Sequence, residues 1–112
     1  MREIKFRTWT GKKMHYGNSS IADKTDWPLM QFTGLKDREG KDIWEGDICR
    51  NFWVEKYGKA PIYEVIFEKG AFGFKAKNGD RINRKHHSLE ITKIDNWEVI
   101  GNIYQNPELM KP

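Results

Sequence analysis

Apolar residues alternate with polar ones along most of this chain, and a period of two predicts half-buried strands from one end to the other. Ile4 and Phe6 alternate with Glu3, Lys5 and Arg7; Thr10-Gly11-Lys12-Lys13 then reads as a turn, with Met14-His15-Tyr16 as the returning strand. Residues 17–27 are rich in Asn, Ser, Asp and Lys with only Ile21 as an interior anchor, the pattern of a loop or one short helical turn. After Pro28, Met30 and Phe32 alternate with Leu29 and Gln31. Gly34 and Gly40 flank the charged Lys36-Asp37-Arg38-Glu39 run, which predicts a hairpin with Leu35 facing Ile43.

A second tight turn, Glu45-Gly46-Asp47, leads into a strand from Ile48 to Val54 that Gly58 and Pro61 end. Tyr63, Val65 and Phe67 form the next alternating set, and Lys69-Gly70 turns the chain into Phe72, Phe74 and Ala76. Asn78-Gly79 is a type I′ hairpin signal, because both central residues need a positive φ. Leu89 and Ile91, then Trp97, Val99 and Ile103, supply two further strands around Asp95-Asn96. Asn106-Pro107-Glu108-Leu109 offers an N-cap residue, a proline at the first helical position and an acid in the first turn. The expectation is a mainly β protein, a small single domain over residues 1–112. Its form would be a bent sheet or a Src-homology-3-like barrel with a short C-terminal helical turn. Ile4, Phe6, Ile48, Val65, Phe67, Phe74, Val99 and Ile103 are the predicted core.

The 112 residues contain little Leu but five Trp and six Phe, so large rings rather than aliphatic side chains must fill that core. The single Cys49 excludes an intramolecular disulfide. The first residues lack the apolar stretch of a signal peptide, and no run reaches the ~20 apolar residues of a membrane span, which suggests a cytoplasmic protein with no membrane partner. A net charge of +4 permits an acidic partner without requiring one.

Three blocks carry a family resemblance: Ile4-Lys5-Phe6-Arg7-Thr8-Trp9; Phe32-Thr33-Gly34-Leu35-Lys36-Asp37 continuing through Gly40 and Ile43-Trp44-Glu45-Gly46-Asp47-Ile48; and Glu98 through Leu109, reading EVIGNIYQNPEL. Together they closely resemble the signature of the YopX family, small proteins of bacteriophages and prophages. Thr8, Thr10, Trp44 and Gln105 depart from its commoner residues, and residues 50–95 match little beyond the strand pattern. The resemblance implies a phage or prophage origin and a β-rich domain that self-associates. It implies no enzymatic activity, so it assigns no catalytic or ligand-binding residue.

The residues themselves point the same way. Glu45 and Asp47 could form a carboxylate pair, but the Gly between them favours a turn in which Asp47 holds backbone N–H groups. His86 and His87 are adjacent on a strand pattern and would point to opposite faces, which disfavours a metal site. Cys49, between Asp47 and Arg50, reads as a small buried hydrophobe. Lys75, Lys77, Arg81, Arg84 and Lys85 follow Phe72 and Phe74, a combination that nucleic-acid surfaces use. Parity, however, sends the rings and Lys75 and Lys77 to opposite faces. Apolar residues of both parities around Trp44 and Trp53 mark these tryptophans as interface candidates. The reading is a non-enzymatic phage protein that binds a protein partner or itself as a homo-oligomer, without cofactor. The runner-up is nucleic-acid binding through the basic 75–87 segment.

Overall fold

The computed structural model describes residues 4–17, 27–51, 62–77, 79, 81–82 and 97–111. Within them run strands β1 (Phe6–Trp9), β2 (Met14–Gly17), β3 (Leu29–Lys36), β4 (Asp42–Trp44), β5 (Asp47–Asn51), β6 (Ile62–Glu68), β7 (Ala71–Ala76), β8 (Arg81–Ile82) and β9 (Trp97–Asn102), then a 3-10 turn over Pro107–Met110. The fold is mainly β, as the alternation predicts. It consists of two antiparallel sheets, one ordered β2-β1-β3-β4 and the other β8-β7-β6-β5-β9.

The hairpin chemistry follows the sequence. Lys69 (φ 53°) and Gly70 (φ 82°) both take the left-handed region that a type I′ turn demands, so β6 and β7 pair without interruption from Tyr63↔Ala76 to Glu68↔Ala71. Thr10 closes the β1–β2 turn by accepting the Lys12 and Lys13 N–H groups on its hydroxyl. Gly79 has φ 95° and donates to the Ala76 carbonyl, while Asn78 lies outside the described residues.

The core sits against the five-stranded sheet. Phe74 stacks flat on Trp97, with centroids 3.9 Å apart and planes 4° from parallel, and Tyr63 meets both rings edge-on. Ile43, Cys49, Val65, Phe72 and Val99 complete the cluster, with Leu35 and Tyr63 packed at its margin. Full burial of each Phe- or Ile-sized side chain contributes about 1.5–3 kcal/mol.

Four of the predicted core positions need correction. Phe6, the first residue of β1, is only half-buried, its neighbours Arg7 and Thr8 taking the covered places. Ile4 is 70% exposed because it precedes the first β1 pair, Phe6↔Gly17, and β1 buries Arg7 and Thr8 instead. Phe67 has the parity of Val65 but is 45% exposed: it lies beside the β6–β7 turn, where its partner Phe72 takes the covered place. Ile103 is half-buried because β9 carries a bulge. Ile48 pairs with Gly101 and Cys49 with Val99, which leaves Ile100 as an extra residue. A bulge reverses the inward parity of everything beyond it. Trp97 and Val99 therefore face the core, and beyond the bulge Asn102 turns inward in place of its neighbours.

The two sheets meet at the second tight turn, since β4 belongs to one and β5 to the other. Between them Glu45 donates its N–H to the Gln31 carbonyl (2.9 Å), Gly46 donates to the Val65 carbonyl (2.8 Å), and the Gly46 carbonyl accepts from Ile103 (2.9 Å). The β3–β4 hairpin adds a second tie. Buried Asp37 accepts Glu39 and Lys41 N–H groups on one oxygen and the Val99 N–H on the other, so the hairpin tip grips the edge of β9.

Gly46 and Gly40 have similar positive φ, 88° and 81°, but only Gly46 is crowded: a Cβ there would lie 3.0 Å from Met30 Sδ, whereas one at Gly40 meets nothing within 4 Å. Gly40→Ala is expected to cost about 1–2 kcal/mol, the backbone strain alone. Gly46→Ala is expected to cost more in the same urea titration, and equal losses would contradict this packing.

Candidate functional site

A cleft of about 690 Å³ opens between the two sheets, and its floor is an ion pair with one partner from each sheet. Arg7 on β1 donates from Nη2 to Asp47 Oδ1 at 2.8 Å and to the Glu45 carbonyl at 3.3 Å. Asp47 Oδ2 accepts the Trp44 N–H at 2.7 Å. The two side chains are 4% and 3% exposed, and the Trp44 ring lies against the guanidinium at 5.2 Å. Arg7 Nε is buried and has no hydrogen-bond partner. Burial pushes the Asp47 carboxyl above its ordinary 3.8, against the pull of the Arg7 charge and the Trp44 N–H.

One side of the cleft carries Lys5, which bonds Asp42 Oδ2 at 2.9 Å and stands 4.3 Å over the Phe32 ring. Lys36 takes the other Asp42 oxygen at 2.6 Å. The Lys36 bond, aided by Lys5 and opposed by burial, holds the Asp42 carboxyl below 3.8. The opposite wall is the turn after β9. Asn102 Oδ1 accepts the Tyr104 and Gln105 N–H groups, its Nδ2 donates to Gln105 Oε1, and its own N–H donates to Asn106 Oδ1. Asn106 precedes the 3-10 turn but makes no side-chain cap; its amide packs against Gly101 instead, where a Cβ would come within 2.5 Å of Oδ1.

A second, smaller groove of about 210 Å³ is lined by Leu29, Met30, Phe67, Ile103 and Tyr104, with Glu45, Glu64 and Glu68 alongside. Leu29 and Phe67 are 47% and 45% exposed. Burial first, then the negative charges of Glu45 and Glu64, push the Tyr104 phenol above 10.0.

The candidates named from the sequence are scattered. Trp44 is 5% exposed and packs against Tyr16, Phe32, Lys5 and Arg7, so its ring is covered within the chain. Trp53, Arg84 and Lys85 lie outside the described residues, as do His86 and His87; Arg81 is placed only as a strand position. Lys75 and Lys77 lie on the opposite parity to buried Phe72 and Phe74. Cys49 is fully buried, and burial, then the charges of Asp47 and Asp37, push its thiol well above 9.0. Asp47 holds its turn, while Glu45 accepts the Gln31 N–H at 3.3 Å. Among the described residues no group of three or more His, Cys, Asp or Glu could hold a metal ion. Sequence reasoning missed Arg7, Lys5, Asn102 and Asn106. Their one signal was position: an arginine inside an apolar strand and two asparagines around a turn.

A family model described as YopX protein matches residues 8–111. The chain belongs to the YopX family. Two solved structures share its fold. Protein YopX from Bacillus subtilis aligns with a TM-score of 0.65 at 24% identity, over 100% of this chain and 98% of that one. Protein EF1440 from Enterococcus faecalis aligns with a TM-score of 0.58 at 28% identity, over 97% of this chain and 76% of that one. No curated protein matches in sequence. The blocks that carry the YopX resemblance are the parts that build the cleft: Arg7, the Trp44–Asp47 turn, and the Gly101–Asn106 turn.

The lowered Asp42 carboxyl has a defined consequence for stability. Folded Asp42 releases its proton at lower pH than the unfolded chain, so its lysine pairs stabilise the fold above pH 3.8, and that contribution is lost as pH falls through the lower folded value. Asp42→Asn is therefore expected to cost up to about 1 kcal/mol at pH 7, the range of partly exposed pairs. Urea titrations at descending pH should show the two proteins converging below pH 3.8; a constant difference would contradict the assignment.

Proposed function

We propose that this YopX-family protein is a non-enzymatic binding module that associates with a second copy of its own chain through the Leu29–Phe67 groove. The observation that supports this is Phe67 itself, a large ring 45% exposed beside an equally open Leu29 in one groove. Exposed rings grouped with aliphatic side chains favour contact with another protein surface over water. The non-enzymatic reading rests on two groups: the Cys49 thiol is sealed in the core, and both Asp47 oxygens are taken, by Arg7 and by the Trp44 N–H. A cytoplasmic protein of phage or prophage origin fits this reading. Among the described residues no helix is long and apolar enough to cross a membrane.

The nucleic-acid alternative draws less support. Its rings, Phe72 and Phe74, are 7% and 0% exposed, so they offer bases no stacking surface, and Lys75 lies in register between Glu64 and Arg81.

Sedimentation velocity at micromolar concentration tests the proposal. The unmodified chain is expected to sediment as an oligomer, and Phe67→Ser to weaken association by about tenfold or more, as loss of an interface anchor does. A monomer mass for the unmodified chain would overturn it, and so would an oligomer indifferent to Phe67→Ser. Salt-sensitive retention of the monomer on DNA would favour the alternative.

A further inference from the structure

We infer that the cleft over Arg7 binds a small phosphate-bearing molecule of nucleotide size. The inference comes from which hydrogen-bonding groups the fold has used and which it has left. Every carboxylate oxygen in the cleft is occupied: Asp47 by Arg7 and the Trp44 N–H, Asp42 by Lys36 and Lys5. The asparagine and glutamine oxygens of the wall are occupied too, since Asn102 Oδ1, Asn106 Oδ1 and Gln105 Oε1 all accept bonds within the turn.

What remains are donors. The Asn106 and Gln105 amides, with their oxygens turned to the chain, keep their NH₂ groups for another acceptor. Lys41 is exposed at the cleft and its ammonium makes no ion pair among the described residues, yet it is near enough to pull on the Asp47 carboxyl. Beneath them Arg7, whose side chain is 4% exposed, holds an Nε–H that no protein group accepts. An unmet charged donor at the bottom of a cleft is costly, and a ligand oxygen drawn in by a small shift of the guanidinium would satisfy it. Among the described residues that line the cleft, three cations, Lys5, Arg7 and Lys41, stand against two acids, Asp42 and Asp47.

A surplus of donors with every acceptor used selects an anion rich in oxygens. The volume, about 690 Å³, lies in the range of small-molecule sites and exceeds the needs of a bare ion. Tyr16 stands at the rim, 63% exposed and edge-on to Trp44, where its open face can receive a flat ring. A phosphate over Arg7 with a ring toward Tyr16 uses both features.

Titration of the full ¹⁵N-labelled chain with adenosine monophosphate, inorganic phosphate, adenosine and citrate, followed through amide shifts, tests this. The monophosphate is expected to shift the Trp44, Asn102 and Asn106 amides saturably, inorganic phosphate to shift them more weakly, and adenosine to leave them unmoved. Lys41→Glu, an exposed change that should leave the rest of the spectrum intact, is expected to weaken the monophosphate by about tenfold or more. The inference is overturned if no phosphate moves these amides, if citrate binds as well as the monophosphate, if the monophosphate binds no tighter than inorganic phosphate, or if Lys41→Glu responds as the unmodified chain does.

Discussion

Everything in this fold depends on how four residues, Trp44 to Asp47, pass the chain from one sheet to the other. The turn is held from every side: Asp47 by Arg7 of β1, Glu45 by Gln31 of β3, Gly46 by Val65 of β6 and by Ile103 after β9. Its left-handed Gly46 has Met30 packed against the one direction in which a side chain could grow. Two small sheets, each too slight to bury its own face, share a core because this turn fixes their relation.

The Arg7–Asp47 pair inside that turn is a specifying device more than a source of stability. Taking two charges out of water costs about as much as their attraction returns, while removing one partner alone leaves a buried charge and costs roughly 3–5 kcal/mol. The upward push on the Asp47 carboxyl reflects that same desolvation. What the pair supplies is register: a guanidinium on β1 can be satisfied only when the carboxylate at the start of β5 lies beneath it. The same pair forms the floor of the cleft, so the residues that join the sheets also shape a concave surface of about 690 Å³.

Much of this was legible in the chain. Alternation located the strands of the described residues, Lys69-Gly70 the hairpin, and Glu45-Gly46-Asp47 a structural turn, because each of these signals is local; the strand expected at Leu89 and Ile91 lies outside the described residues. Parity correctly sent Phe74 inward and Lys75 outward. It failed at β9, since one inserted residue, Ile100, reverses the faces and nothing in the sequence marks a bulge there. It failed at Arg7 for a different reason: a buried arginine requires a partner forty residues away, and such pairings have no sequence period. The cleft was invisible for the same cause, being assembled from three distant blocks. Trp44 read as an interface candidate because its parity was ambiguous, but Lys5, Arg7, Tyr16 and Phe32, on or beside the other strands of its own sheet, cover it.

Native-state hydrogen exchange tests most directly whether the turn governs the union of the sheets. The amides of Trp44, Gly46 and Ile103, each bonded within or onto the turn, would be followed beside that of Val65 in the core sheet, with stability lowered stepwise by denaturant. If the turn is the common constraint, all four exchange only through global unfolding, with one opening free energy and one denaturant slope. The account would be contradicted if Trp44, Gly46 and Ile103 exchanged through a lower-energy local opening while Val65 stayed protected.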